Sequence, residues 1–365
     1  MSNTRTIGIG IIGSGQIALA NHLPGFALAG NLAKVVALCD ANAETVARAG
    51  VENGIEHTFT DHREMLKRDE VQAVVVATPN FTHRQIVLDA VAAGKHVLCE
   101  KPLALNYAEA LEMYRAAEKA KVRHMTAFTY RFVPAVRYMR HLVDAGAVGK
   151  PYHFRANRFQ DWGDRNVGWR QVDKLAGSGE LGDMLSHRID YGHYLVGPIT
   201  RLVADMKRFL NVRGGQPSDV DDFVSMLAEF ENGATGVLES TKLATGHGEG
   251  IRSEDYCEIN GIEGTVAYRS ASPWQVEVGS KGGNSLRSIS VPMDYLKWPG
   301  STRDPFGGDP QVSFRWDQDV EFVRAIAENR PCTPSFADGL AVQAVMEATI
   351  QSSQRRAWVD VKRER

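Results

Sequence analysis

The sequence predicts an α/β domain with a parallel sheet, followed by an α+β domain with a large, mostly antiparallel open sheet. Three observations carry this. In the first third of the chain, short and wholly apolar runs alternate with segments of helical spacing; strands buried on both faces by helices read this way. Polar or turn-forming residues follow each of those runs. Beyond about residue 150 the apolar runs come closer together and are joined by short Gly- and Asn-containing turns, the pattern of an antiparallel sheet. A chain of 365 residues is long enough for two domains at ~150 residues each. We place them at 1–127 and 128–365, with the final helix expected to pack back on the first.

The elements follow in order. Residues 6–12 form an apolar run ending in glycines, and 16–28 have helical spacing. Segment 35–39 is rich in β-branched residues and ends at Asp40. A helix over 43–49 is expected to stop at Gly50. The run 73–77 closes at Thr78-Pro79-Asn80; 82–93 reads as a helix with Gly94 just past its end. His96–Cys99 is the next strand, closed by Glu100-Lys101-Pro102, and Asn106 is placed to cap a helix over 107–121. In the second part, 133–143 is helical, 151–160 extended, and 183–196 a helix stopped by Gly197-Pro198. Asn232-Gly233 marks a hairpin between Phe223–Phe230 and 235–240, and a second hairpin joins 256–260 to 265–269. Segment 279–312 is rich in Gly, Ser and Pro and shows no periodicity; loops of that length are usually functional or contact a partner. Helices over 316–329 and 340–355 close the chain.

Composition excludes several classes. Hydrophobic residues are 43% and charged residues 24%, ordinary values for a globular protein. Lys and Arg total 42 against 44 Asp and Glu, so no global field draws the chain to nucleic acid or an anionic membrane. No apolar run reaches the ~18 residues needed to span a bilayer, and the first apolar segment is too short for a secretory signal. The four cysteines, Cys39, Cys99, Cys257 and Cys332, are far apart, without metal-ligand spacing. They read as reduced structural thiols, which places the chain in the cytoplasm, with no metal.

The chemistry concentrates in three places. Gly13-Ser14-Gly15-Gln16-Ile17-Ala18 is a GxGxxA turn that follows a strand and opens a helix. Gly13 allows the tight turn, Gly15 lets a pyrophosphate approach the backbone, and the helix start offers free N–H groups. With Asp40 at the next strand end, this context identifies a dinucleotide site of the Rossmann kind. Asp40 is suited to both ribose hydroxyls and would repel a 2′-phosphate, so NAD is expected rather than NADP; the plainer reading makes Asp40 a cap for helix 43–49. The second place is the edge carrying Thr78, Pro79, Asn80, His83, Glu100 and Lys101, where open α/β sheets bind ligands. A lysine there can stabilise a developing alkoxide; the alternative is a solvated surface lysine. The third is Gly177–Asp190, where Asp183, His187 and Asp190 have the spacing of one helix face. Histidine titrates near neutrality and suits proton transfer, although a lone histidine on such a helix is more often structural.

The stretch VVVATPNFTHRQIVLDAVAAGKHVLCEKPLA resembles the Gfo/Idh/MocA family of NAD(P)-dependent sugar and inositol oxidoreductases, and the likeness runs from the fingerprint to the final helix. The resemblance implies that Lys101 sits beside the nicotinamide and hydrogen-bonds the hydroxyl being oxidised, with Pro102 after a cis bond. It implies that Asp183 binds substrate and His187 is the general base. Ser186 stands where the family usually has Gly, which leaves the local backbone open. Trp169-Arg170 resembles a pair that many members place near the nicotinamide. Arg155, Arg158, Arg165, Arg170 and Lys174, with Asp161, Trp162 and Trp169 among them, form either a salt-bridged loop or an anion-holding pocket with a sugar-stacking Trp. Tyr130, Arg158, Asp161, Trp162, Arg165 and Lys174 join Lys101, Asp183 and His187 as candidate substrate contacts. The expected function is NAD-dependent oxidation of a secondary hydroxyl, at C3, of a sugar or glycoside. The alternatives are a redox-neutral NAD-dependent glycosidase working through a transient 3-keto sugar, with an anionic sulfoquinovoside as one candidate, and a non-catalytic NAD-binding protein. A homodimer or homotetramer is expected through the open face of the antiparallel sheet.

Overall fold

The computed structural model describes residues 6–249, 253–307 and 309–364. The chain divides into two compact units. The first is the chain up to Thr129 together with Lys297–Leu340; the second is Tyr130–Leu296 together with Ala341–Arg365.

In the first unit, β1 (Ile7–Ile12), β2 (Ala33–Cys39), β3 (His57–Phe59), β4 (Ala73–Val76), β5 (His96–Cys99) and β6 (His124–Thr126) form one sheet in the order β3-β2-β1-β4-β5-β6. Every pair is parallel. The strand order switches between β1 and β4, and that is where such sheets open a crevice at their carboxyl edge. Val74, Val76, Val97 and Cys99 are completely buried in a core shared with Val87 and Met113 of the flanking helices. Each fully buried aliphatic side chain contributes about 1.5–3 kcal/mol relative to exposure.

The helix expected to end at Gly50 runs on as Ala43–Asn53. Gly50 packs inside it, and Gly54, at φ 65°, supplies the left-handed residue that ends it. Its cap is Asn42, whose side chain accepts from Thr45 N, so Asp40 is not the cap. Asn106 caps Tyr107–Ala120 as its sequence position suggests. The helical pattern over 16–28 resolves into a widened turn, Ala18–His22, and a short helix, Leu23–Ala27.

The chain does not divide once near residue 127. Segment 297–340, expected in the second domain, belongs to the first unit. Thr302 N and Oγ1 both donate to Leu28 O, and Trp316 Nε1 donates to Ala20 O. Arg303 pairs with Asp317, and Trp298 Nε1 donates to Glu321, which fixes the loop onto helix Asp317–Ala327. The final helix, Phe336–Arg355, begins in the first unit and continues in the second, where Ser352 and Ser353 accept from Ala204 and Met206 N–H groups.

In the second unit, β7 (Pro151–Phe159), β8 (Ile199–Lys207), β9 (Val212–Arg213), β10 (Gln216–Pro217), β11 (Phe223–Phe230), β12 (Thr235–Thr241), β13 (Glu254–Gly261), β14 (Gly264–Arg269), β15 (Gln275–Ser280), β16 (Arg287–Ser290) and β17 (Val359–Asp360) follow in the chain. Nine form one sheet, ordered β16-β15-β14-β13-β7-β12-β11-β8-β17, and β9 and β10 pair separately. Among the described residues, only β7 with β12 is parallel within the large sheet. Phe154, Ala156 and Arg158 of β7, with Val224, Met226, Ala228 and Phe230 of β11, are buried, whereas Leu227 on the opposite face of β11 is 50% exposed. Helix Ser186–Leu195 lies on the buried side, with Gly192 against the Phe154 and Phe230 rings. Part of 279–312 thus forms a sheet edge and part docks on the first unit; residue 308 lies outside the described residues. Among the described residues, no helix is long and apolar enough to cross a membrane.

Candidate active site

At the carboxyl edge of the parallel sheet, Gly13 donates its N–H to Cys39 O at 2.7 Å and adopts φ 95°. A Cβ there would lie 2.4 Å from Ala77 O, so the turn is wedged between the ends of β2 and β4. A Cβ on Gly15, by contrast, would meet nothing within 4 Å. Gly15 and Gln16 are exposed and Ile17 half-buried, which leaves the turn open as a pyrophosphate cradle requires. Asp40 accepts from Ser14 N and from Asn42 N, both at 2.9 Å. The acidic residue is thus anchored to the glycine turn itself, and the residues present fit NAD.

Thr78 and Thr82 are joined through their hydroxyls, and Asn80 is buried at the start of helix Asn80–Ala92. His83, expected to touch cofactor, is completely buried. Its ring nitrogens face Pro102 O at 3.1 Å and Thr78 O at 3.0 Å. It braces two loops against each other, and burial lowers its pKa. Lys101 is partly exposed at the end of β5 and precedes a cis peptide to Pro102. Glu100 accepts from Lys101 N and faces His22 Nε2 at 3.1 Å, while His22 Nδ1 faces Asp319 at 2.8 Å. Burial would lower the His22 pKa, but the two carboxylates outweigh it and push it up to about 10. Burial likewise opposes ionisation of Glu100, yet the His22 hydrogen bond and charge, with Lys101, hold it below the usual range. Burial raises Asp319 to about 6 against the pull of His22. Nothing local in the sequence distinguishes His22 or Asp319 as a site residue.

In the second unit, Asp183 lies on a widened turn, Leu181–Leu185, that runs into helix Ser186–Leu195. Ser186 is helical there and donates its hydroxyl to Gly182 O at 2.8 Å. The preceding loop is shaped by Asp221, whose carboxylate accepts from Gly179 N and Leu181 N at 2.6 and 2.8 Å. A Cβ on Gly179 would lie 2.0 Å from Asp221 O, so only glycine admits this contact. Asp183 pairs with Lys242 at 3.2 Å, and Glu180 lies 3.7 Å from the same ammonium while accepting from Ser240 Oγ. Burial raises the Glu180 pKa to about 8, helped by Asp183 and Asp221 and opposed by Lys242. Burial alone would lower Lys242, but Asp183, Glu180 and Asp221 raise it above its ordinary value.

His187 is buried, with its ring 4.6 Å from that of Tyr130. Arg188 stacks on the Tyr130 and Tyr191 rings at 4.6 and 4.9 Å and donates to Asp255 at 2.7 Å. Asp190 is held by Arg131 through two hydrogen bonds of 2.8 and 2.6 Å, so its carboxylate is committed to the scaffold.

The basic stretch separates. Arg155 bonds Glu258 and Tyr256 on the other face of the sheet, and Arg158 is buried 4.0 Å from Asp255. Arg165 pairs with Glu249 and lies 4.4 Å over the Trp162 ring, and Lys242 is 4.8 Å from that ring. Asp161 accepts from Gly163 N, Arg170 stacks on Trp169 at 4.5 Å, and Lys174 is exposed. These arginines do not converge as a fork for an anion. The buried cation beside Asp183 is Lys242, which no motif marks. All four cysteines are free and buried, and burial pushes the Cys39 and Cys332 thiols up to about 12.

Residues 7–128 match the oxidoreductase family model with an NAD-binding Rossmann fold, and residues 136–267 match the Gfo/Idh/MocA C-terminal domain. The chain is 33% identical to a levoglucosan dehydrogenase of Pseudarthrobacter phenanthrenivorans, with 98% of each chain covered. It is 28% identical to a D-apiose dehydrogenase of Paraburkholderia graminis, over 90% of this chain and 84% of that one. A solved levoglucosan dehydrogenase in complex with NADH and levoglucosan superposes with a TM-score of 0.90 at 31% identity, covering 98% of this chain and 100% of that one. With the open glycine turn, Asp40 and the Glu100-Lys101-Pro102 strand end, these likenesses establish that the chain belongs to the Gfo/Idh/MocA family of oxidoreductases and that its first unit is an NAD-binding Rossmann domain.

Proposed function

We propose that this protein is an NAD-dependent dehydrogenase that oxidises a secondary hydroxyl, at C3, of an uncharged sugar. The observation that carries the reading is the common edge of the parallel sheet. The Ser14–Asp40 anchor of the dinucleotide turn and Lys101 both stand at the carboxyl ends of its strands. NAD, when bound, supplies the acceptor for the hydride lost from the carbinol carbon. Lys101 donates a hydrogen bond to the hydroxyl oxygen and stabilises its developing negative charge. His187 takes the hydroxyl proton. Asp183 accepts from a sugar hydroxyl and orients the ring. Thr78, Pro79, Asn80, Trp169 and Arg170 are assigned to the cofactor, and Tyr130, Arg158, Asp161, Trp162, Arg165 and Lys174 to the surroundings of the substrate. The ion pairs of Arg155 with Glu258 and of Arg165 with Glu249 favour a neutral sugar over a sulfonated one.

We further assign the protein to the cytoplasm, in keeping with four unpaired buried thiols, and to a homodimer or homotetramer formed through the sheet face that exposes Leu227. The test is to incubate the protein with NAD and levoglucosan, then with a panel of neutral and anionic sugars and aryl glycosides. Stoichiometric NADH with an intact glycoside is the expected result. Aglycone release without NADH identifies the redox-neutral glycosidase that the same three residues would serve. Tight NAD binding with neither product identifies a non-catalytic protein.

A further inference from the structure

We propose that Lys242 is the residue that positions Asp183 for the sugar, and that Glu180 competes with Asp183 for it. This rests on the reading of Asp183 as a substrate ligand. Lys242 follows β12, and its side chain is 3% exposed. An ammonium is removed from water only where carboxylates repay the loss of hydration. Here Asp183 stands at 3.2 Å and Glu180 at 3.7 Å. The charged and titratable groups acting on Lys242 are Asp183 and Glu180 from the widened-turn segment and Asp221 from the loop just before β11, and the Trp162 ring, on the loop after β7, lies 4.8 Å away.

The two carboxylates are not equivalent. Glu180 is wholly buried and tied to Ser240 Oγ, whereas Asp183 is 18% exposed. Burial raises Glu180 to about 8, so near neutrality it retains its proton and leaves Lys242 to Asp183. As pH rises and Glu180 ionises, it draws on the same ammonium. Asp183 then loses part of its anchor. The ammonium thus acts through Asp183 and is a positioning residue. Its charge is also spent within the protein, so it offers no free cation to an anionic substrate.

The test uses the NAD-loaded protein with levoglucosan as probe. It compares wild type, Lys242→Met, Lys242→Arg, Glu180→Gln, Asp183→Asn and the Lys242→Met/Asp183→Asn double variant. Lys242→Met is expected to raise the sugar KM about 30-fold with NAD affinity unchanged, and Lys242→Arg to recover part of it. In the Asp183→Asn background Lys242→Met adds nothing, because the partner it acts through is gone. Wild type is expected to show a rise in sugar KM on the alkaline side of neutrality, and Glu180→Gln, an isosteric change that keeps a partner for Ser240, is expected to remove it. If Lys242→Met does not fold, Lys242→Arg and the Glu180→Gln profile decide the question. Additive losses in the double variant, or an alkaline KM profile unaltered by Glu180→Gln, overturn the inference while the dehydrogenase reading stands. Full turnover by Asp183→Asn, or none by wild type on any sugar, overturns the reading itself and the inference with it.

Discussion

His22 Nδ1 stands 2.8 Å from Asp319 Oδ1, and its Nε2 stands 3.1 Å from Glu100 Oε1, so one buried imidazole joins residues 297 positions apart to the carboxylate beside Lys101. A Cβ on Gly25 would lie 2.2 Å from Asp319 Oδ2, so the helix start itself is shaped around this carboxylate. The three groups hold segment 297–340 to the strand end that carries Lys101.

Removing the imidazole strands the buried Asp319 carboxylate and takes a partner from the half-buried Glu100. His22→Gln is expected to lose about 3–5 kcal/mol of stability, read from urea unfolding near neutral pH. The pH dependence follows from the direction of the shift. The folded pKa of His22 is about 10, above its ordinary 6.5, so the folded state binds this proton more tightly. Its contribution is complete below pH 6.5 and is lost as pH rises towards 10. The wild-type urea midpoint should therefore fall more steeply across that window than that of His22→Gln; parallel curves would contradict an imidazolium at this position.

The two glycines of the dinucleotide turn separate folding from cofactor binding. Gly13→Ala forces a Cβ to 2.4 Å from Ala77 O at φ 95°, which should cost about 1–3 kcal/mol of stability. Gly15→Ala meets no protein atom within 4 Å and should fold normally while weakening NAD, because the added methyl occupies the pyrophosphate's approach. Thermal melts and NAD titrations of both variants check this; equal NAD affinity in Gly15→Ala and wild type would refute the cradle.

Lys101→Ala and His187→Asn should each lower kcat/KM by about 10²–10⁴ while leaving NAD binding within a few-fold of wild type. Steady-state rates with NAD and levoglucosan, together with a fluorescence titration of NADH, provide the comparison. Undiminished turnover in either variant removes that residue from the chemistry.

Asp183 and Asp190 share a helix segment yet should behave oppositely. Asp190→Asn leaves the buried Arg131 guanidinium donating to a neutral amide in place of a carboxylate, and should cost about 3 kcal/mol of stability. Asp183→Asn removes one of the charges that hold Glu180 protonated, so Glu180 can ionise beside Lys242 in its place and the loss should be mainly in turnover. Chemical denaturation of both variants, set beside their kinetics, tests the division.

The dinucleotide turn, Asp40 and the strand ends at Thr78 and Lys101 were legible because each is written within a few residues of the strand that presents it. A parallel sheet brings its carboxyl ends to one edge whatever the details of packing. The Asp183–His187 segment was legible for the same reason, being contiguous. The sequence by itself therefore determined the fold class and the cofactor domain, and it supplied the residues that the proposed site uses. Only the tertiary structure decided which charges meet. Lys242 looks like any strand-end lysine until β12 carries it beside Asp183, and Arg155, Arg158 and Arg165 look like one cluster until alternation along β7 and the following loop send them to different carboxylates. It also decided that 297–340 returns to the first unit, where Asp319 reaches His22. The physical reason is that a buried ion pair is set by where two distant backbones come to lie, and a charged side chain carries no local mark of whether water or a counter-ion will surround it.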